Sequence, residues 1–252
     1  KTEEGKLIRK AFVPEYDYLI SFDYSQIELR VLAHLANVTS LIQAFNENKD
    51  IHRHTASVVF GVSEDEVTST MRRNANMRRQ AKAVNFGIIY GMSDYGLAEQ
   101  LGVTVKEAKS FIEKYFEKYA EIKEYMNKSI AFGKENGYVS TVLNRKRYIP
   151  EINEKNYMRQ EFGKRLAMNS PIQGSAADII KLAMIKVDQL LKENHMKSKM
   201  ILQVHDELIF DVYEDELEQM MKLVQTGMES AYQMTVELKA EGTYAKNWYE
   251  LK

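Results

Sequence analysis

The sequence predicts an α+β fold: an antiparallel sheet carrying acidic residues, with a large, mostly helical insertion between its strands. Three observations predict it. Apolar runs of strand length stand near both ends of the chain, at Tyr18 to Phe22 and again at Lys199 to Val204 and Glu207 to Tyr213. Between Val38 and Pro150 the apolar residues recur at helical spacing instead, with Gly61, Gly91, Gly102 and Gly137 as stops. No low-complexity linker separates the two patterns, so the helical part reads as an insertion into a strand-bearing framework.

In chain order, Leu7 to Val13 reads as a first strand and Tyr18 to Phe22 as a second, parted by Pro14-Glu15. The second delivers Asp23. Ser25-Gln-Ile-Glu28 then has the form of a capping box that opens a helix to about Ala36. Helices are predicted near Ser40 to Phe45, Ile51 to Phe60, Glu64 to Gly91, Tyr95 to Glu99 and Val105 to Asn136. Tyr138 to Leu143 and Lys146 to Ile149 form a short hairpin about Asn144-Arg145. Helical spacing resumes at Glu161 to Met168, where Pro171 is expected to break or kink it, and Gly174-Ser-Ala-Ala177 opens another helix to about Asn194. Small residues in a row there permit close backbone approach, by a packed element or by a nucleic-acid groove, packing being the commoner use. The strands Lys199 to Val204 and Glu207 to Tyr213 meet at His205-Asp206, where a two-residue hairpin ordinarily places glycine or Asn-Gly because positive φ is needed. A helix from Asp215 to Tyr232 and a strand from Val236 to Glu241 close the pattern.

A chain of 252 residues, 44% hydrophobic and 28% charged, has an ordinary globular composition and can bury a substantial core. Its net charge of -1 gives no global sign of nucleic-acid binding, so any such surface must rest on local basic clusters. These are Arg72-Arg73, Arg78-Arg79-Gln80-Ala81-Lys82, Arg145-Lys146-Arg147 and Lys164-Arg165. The absence of cysteine excludes disulfides, thiolate metal sites and a cysteine nucleophile, and fits a reducing cytosol. No apolar run is long enough to span a bilayer and no signal-peptide pattern opens the chain, so the expected location is cytoplasmic with no membrane partner. The chain begins at Lys1 and reads as a piece of a longer one.

The richest stretch runs from Met77 to Gly91. At about 100° per residue, Met77, Ala81, Val84 and Ile88 fall in one narrow apolar stripe suited to a core. Arg78, Lys82, Phe86 and Tyr90 recur every fourth residue and drift by only about 40° per step, which aligns two cations and two aromatic rings on the other side. A nucleoside triphosphate lying along the helix would use such a row, with Arg78 and Lys82 on phosphates and Phe86 against sugar and base. A solvated basic face with half-buried aromatics would show the same four residues. Just upstream, Met71-Arg-Arg-Asn-Ala-Asn76 nearly repeats Met77-Arg-Arg-Gln-Ala-Lys82, but six residues turn a helix by about 240°, so the first copy cannot present its arginines to the same side.

The row gains meaning beside Asp23 and Asp206, two acids predicted at strand tips far apart in sequence. Alone, Asp23 reads more readily as a turn or helix-entry residue than as a metal ligand, and Glu28 equally well as a capping residue. Together with the helix they form an inventory for phosphoryl transfer. Hard carboxylate oxygens suit Mg²⁺, and two such ions would activate a hydroxyl and stabilise a leaving pyrophosphate. Lys82 would add a charge or a proton at the leaving group.

Asp23-Tyr-Ser-Gln-Ile-Glu-Leu-Arg30, then Arg78-x3-Lys82-x3-Phe86-Gly-x2-Tyr90-Gly91, then Gln203-Val-His-Asp-Glu207 resemble the three signature motifs of family A DNA polymerases, in order. The likeness extends to Asp50-Ile-His52, Gly137-Tyr-Val139 and Asn169 to Asp178, and so covers essentially the whole chain. It is closest to the C-terminal palm and fingers region of the bacterial DNA polymerase I group.

The resemblance implies a palm at 1–36 and 166–252 with fingers at 37–165. It implies a monomer, associated with the nucleoid, that binds primer-template DNA and deoxynucleoside triphosphates and extends the primer with two Mg²⁺ ions. Asp23 and Asp206 would hold the metals, with Glu207 as an auxiliary acid. Arg78, Lys82, His52 and Gln26 would bind the nucleotide, Phe86 would stack on it, and Glu28 would crowd the 2′ position of its sugar. Tyr90 would sit by the templating base, and Arg165, Asn169, Gln173 and His205 would touch the primer-template, where minor-groove acceptors common to every base pair permit a sequence-independent check. The six residues Met71 to Asn76 are unusual for the family, whose duplex-gripping thumb is not matched here. Three other readings compete: a primer-template-binding fragment that needs a thumb for turnover, a single-subunit RNA polymerase, and a metal-dependent nuclease. Dependence on dNTP, as against NTP or none, separates the enzymes.

Overall fold

The computed structural model describes residues 3–67 and 72–251. They include six strands, β1 (Tyr18–Tyr24), β2 (Tyr138–Ser140), β3 (Lys146–Tyr148), β4 (Lys199–Val204), β5 (Glu207–Val212) and β6 (Ala240–Ala245). The chain forms two compact units: one runs to Ile27 and resumes at Ala176, the other is Glu28–Ser175.

The first unit is built on a four-stranded sheet in the order β4-β5-β1-β6, antiparallel throughout. β1 reads Tyr-Leu-Ile-Ser-Phe-Asp-Tyr, and its alternation sends Leu19 to one face and Ile20 and Phe22 to the other. On the first face Leu19 clusters with Ile209 and Leu251, backed by Ala245 and Trp248. The helix Leu217–Glu229 packs on β1 with Met220, Val224 and Met228 buried, and Tyr24 fixes it by donating its hydroxyl to the Met228 carbonyl at 2.6 Å. Gly242 stands opposite Phe22 across the ladder, and a methyl group there would collide with the Phe22 ring.

Three expectations fail in this unit. Leu7 to Val13 is no strand but the end of a helix, Glu3–Leu7, followed by the 3-10 turn Ile8–Ala11. Adjacent Arg9 and Lys10 spoil a two-residue period, and β6 already occupies the edge of β1. The segment docks instead through Phe12, whose ring meets Trp248 edge-on at 5.3 Å while its carbonyl accepts the Trp248 N–H. The helix predicted to open at Ser25 starts only at Ile27, because Gln26 has φ +53°, outside helical geometry. The last strand lies at Ala240–Ala245, not Val236 to Glu241: Val236 and Leu238 alternate inward as a strand would, yet sheet pairing begins at Ala240.

The second unit is helical apart from the β2–β3 hairpin. Its helices are Thr39–Asn46, Ile51–Phe60, Glu64–Val67, Arg72–Ile89, Asp94–Leu101, Val105–Lys118 and Ala120–Asn136, with Ile27–Leu35 leading in. Gly61, Gly102 and Gly137 end their helices in the left-handed conformation, as the sequence predicts. The expected helix Glu64 to Gly91 is described as two pieces, and Met71 of the near-repeat lies outside the described residues. Val105 to Asn136 is two helices, because Tyr119 leaves helical geometry at φ -120°, ψ 60°. Tyr115 and Tyr119 are both fully buried with rings 4.8 Å apart, so packing of that pair overrides helical propensity.

Pro171 neither ends nor starts a helix. A single helix of 37 residues, Tyr157–Glu193, runs through it. Proline removes one backbone donor, but Ala167, Ile172 and Ser175 around it are fully buried and hold the chain in place. Ser175 Oγ donates to the Pro171 carbonyl and accepts the Val142 N–H at 3.0 Å, tying the hairpin to the helix. Gly174 lies where a methyl group would meet Thr141 Cγ2 at 2.7 Å. The run of small residues therefore serves packing at this point.

Candidate active site

In the sheet unit the main chain brings the predicted acids to one edge. Asp23 is the penultimate residue of β1 and exposed; Asp206 is in the β4–β5 turn and half-buried. The Tyr24 N–H donates to the Asp206 carbonyl at 3.2 Å, so the two residues adjoin through the backbone. Register places Asp23 opposite Glu207 on β5 and opposite Glu241 on β6. Glu207 is 1% exposed and takes a hydrogen bond from Ser21 Oγ. It is thus a buried acid anchored to β1, while Asp23 and Asp206 reach solvent. Among the described residues no cluster of three or more His, Asp or Glu is arranged to hold a metal. Two carboxylate groups suffice for Mg²⁺, which retains waters and shares substrate oxygens, so the donor set fits that ion.

His205 completes this edge. Its φ is +57°, the only positive value in the turn, which is the pattern of a type II′ hairpin with glycine's position held by histidine. A residue kept in that region costs about 1–3 kcal/mol. The neighbouring Gln203 donates from Nε2 to the His205 carbonyl.

In the helical unit, Arg72–Ile89 presents the two faces the periodicity predicts. Ala81, Val84 and Ile88 are buried, and Met77 packs beside Ala56, Val67 and Ala81. Arg78 and Lys82 are exposed, Phe86 is half-buried, and Tyr90, in the turn after the helix, is 39% exposed. The Phe86 and Tyr90 rings lie 6.3 Å apart at 22°, and the Tyr90 hydroxyl donates to Glu28 Oε2 at 2.8 Å. Gly91, at φ +63°, lets the turn approach the long helix, since a methyl group would meet Met168 Cε at 2.5 Å and Arg165 Cγ at 3.0 Å.

Asp50 is the pivot of the basic end. Its Oδ1 caps the Ile51–Phe60 helix, accepting the N–H groups of His52 and Arg53 at 3.0 and 3.1 Å. Its Oδ2 accepts Arg78 Nε at 2.6 Å. Burial pushes the Asp50 carboxyl up, but the Arg78 and Arg53 hydrogen bonds and the charge of Arg78 outweigh it and hold the group below its ordinary value. His52, 3% exposed, moves the other way: burial, then the Arg78 charge, lowers it to about 4 against the opposing pull of Asp50. The ring is neutral at pH 7.

Arg165, Asn169 and Gln173 recur every fourth residue along the Tyr157–Glu193 helix, and they share one exposed to half-buried face. His205 and Gln26 belong to the sheet unit with the acids, and Glu28, His52, Arg78, Lys82, Phe86, Tyr90, Arg165, Asn169 and Gln173 to the helical one. The sequence reading missed Asp50 as a holder of Arg78, Ser21 as the partner of Glu207, and Asn85. Each left a trace: an Asp before a helix start, a Ser within an apolar strand, and a polar residue beside Val84 near the buried stripe.

A family model described as DNA polymerase family A matches residues 1–250. The chain is 54% identical over 253 residues to DNA polymerase I of Caldicellulosiruptor bescii, covering 100% of this chain and 29% of that protein. It is 52% identical over 254 residues to DNA polymerase I of Bacillus caldotenax, with 100% and 28% covered. The chain therefore spans less than a third of the length of these curated relatives. A solved structure, the POL domain of Pol1 from M. smegmatis in complex with DNA primer-template and dNTP, is similar at TM-score 0.91 and 44% identity, over 100% of this chain and 44% of that one. The acidic strand tips, the Arg-Lys-Phe-Tyr helix and a family match from end to end agree, and the chain belongs to DNA polymerase family A.

Proposed function

We propose that this chain carries out template-directed DNA synthesis, adding a deoxynucleoside triphosphate to a primer 3′ end with release of pyrophosphate. The observation that carries the reading is the Tyr24 to Asp206 backbone bond, which sets two acids side by side at the end of β1 in a family A chain. In this reading 1–36 and 166–252 form the palm and 37–165 the fingers, and the protein acts as a monomer at the nucleoid.

Family A polymerases use divalent metals, and here Asp23 and Asp206 would hold two Mg²⁺ ions, which supply positive charge to the attacking hydroxyl and to the leaving oxygens. The 3′ oxygen bonds to the α-phosphorus as the bond to the bridging oxygen breaks. Arg78 forks onto the triphosphate from its anchor on Asp50, and neutral His52 donates to another phosphate oxygen. Lys82 offsets charge on the departing pyrophosphate and can protonate it. Phe86 stacks on the nucleotide, Gln26 contacts it, and Glu28, braced by Tyr90, crowds a ribose 2′-hydroxyl. Arg165, Asn169, Gln173, His205 and Tyr90 contact primer-template.

Single-nucleotide primer extension with Mg²⁺, at protein in excess over primer-template, tests this. Templated dNTP addition is expected, with NTP disfavoured, and Asp206→Ala is expected to lower it by about a thousandfold, the several kcal/mol a metal-held charge supplies. DNA binding should persist in that variant. Extension retained by Asp206→Ala removes the metal assignment, and dNTP-dependent binding without turnover by the unsubstituted chain leaves a primer-template-binding fragment.

A further inference from the structure

Behind the phosphate-facing row lies a line of buried polar side chains. Thr55 is 0%, Asn85 1% and His52 3% exposed. Thr55 Oγ1 donates to Asn85 Oδ1 at 3.1 Å, which turns the amide so that Asn85 Nδ2 meets His52 Nδ1 at 3.0 Å. An amide nitrogen offers only hydrogens, so Nδ1 must present its lone pair and the ring proton must sit on Nε2. A polar group buried this deeply is costly unless bonded, which gives the chain little freedom to rearrange.

We propose that Asn85, backed by Thr55, is a positioning residue for nucleotide binding: it locks His52 in the Nε2–H tautomer, so that the ring's one donor is the atom offered to a phosphate oxygen. The inference rests on the reading of His52 as a triphosphate ligand. The opposite tautomer would turn a lone pair toward an anion and repel it. An imidazolium would donate from either nitrogen, but Arg78 and Lys82, from the facing helix, and burial oppose that charge more than Asp50 favours it. Phe86, 5.9 Å from the imidazole and tilted by 48°, lies along the same side. With the charged form disfavoured, only the tautomer decides whether His52 can donate.

The test is ¹⁵N NMR of the His52 ring in the full 252-residue chain, assigned with His52→Gln, beside equilibrium binding of dATP. At pH 7 the unsubstituted protein is expected to show a proton on Nε2 and an acceptor at Nδ1. Thr55→Val frees the amide to flip, so the Nδ1–H form should appear and dATP affinity should fall by about three- to tenfold, the worth of one hydrogen bond. Asn85→Asp replaces the donor by an acceptor, so Nδ1 gains a proton and dATP affinity should fall as pH rises from about 6 to 8, where the unsubstituted protein is flat. A proton on Nδ1 in the unsubstituted ring overturns the lock, and dATP affinity lost in His52→Gln would then still mark His52 as a nucleotide contact, made without an Nε2–H donor. Undiminished dATP affinity in His52→Gln removes the phosphate role of His52, and the proposal with it.

Discussion

The sheet edge and the Arg72–Ile89 helix position their charges by different means. Asp23 stands where it does because β1 pairs in register with β5 and β6, and Asp206 because a two-residue turn hydrogen-bonds back to Tyr24. The main chain sets both. Arg78 and His52 are oriented instead by side chains, Asp50 for the first and Asn85 with Thr55 for the second. The contrast follows from the groups. An Asp has one short stem and goes where its backbone goes, whereas an Arg head on a long stem has many rotamers and stays put only if something holds it. Single substitutions should therefore disturb the helix row readily, and the acids only by moving the sheet.

The sharpest way to break that contrast is to shift β1 itself. Gly242→Ala would force a methyl group into the buried Phe22 ring, next to Asp23. A loss of about 3 kcal/mol in urea unfolding is expected, with primer extension falling even in the folded fraction. A neutral result would mean that the sheet tolerates displacement and that something other than register places the acids.

Asp50→Asn tests the other side. Asparagine caps a helix about as well as aspartate, so stability at pH 7 should change by only about 0.5 kcal/mol, while the loss of the Arg78 anchor should raise the KM for dNTP about tenfold with kcat little altered. The pH dependence checks the pair independently. The Asp50 carboxyl is held below its ordinary value, so its contribution to stability is present above that ordinary value and is lost as pH falls through the depressed one. Asp50→Asn should flatten that part of the acid unfolding curve.

The smallest effect is expected at the turn. His205→Gly relieves a residue held at φ +57° but gives the unfolded chain more freedom, for a net gain of about 1 kcal/mol in stability. Weaker primer-template binding in the same variant would say that the strain is kept for contact with DNA. Unchanged binding would make His205 a turn residue only.

Much of this was legible in the sequence because it rests on period and punctuation. The apolar stripe of Ala81, Val84 and Ile88, the glycine stops and the His205-Asp206 hairpin are local patterns, and each emerges where predicted. What failed depends on partners remote in sequence. Leu7 to Val13 has strand composition but β6 takes the edge of β1, Tyr119 breaks a helix to pack edge-on against Tyr115, and Pro171 stays helical because its surroundings are buried. Among the residues proposed for the site, Asp23, Arg78 and Lys82 stand out by type and spacing. Asp50, Ser21 and Asn85 do not, because their meaning lies in which atom they touch.

Asp50 also sets when disorder is given up. An arginine has five N–H donors, and the contact at Nε leaves four on the outer nitrogens, so a phosphate can be met without releasing Asp50. The side chain's rotamer entropy, about 2 kcal/mol, is then surrendered when the helical unit folds and not when the nucleotide arrives. Each arriving triphosphate would find a guanidinium already still, and the waiting time between encounter and a productive pose would shorten accordingly.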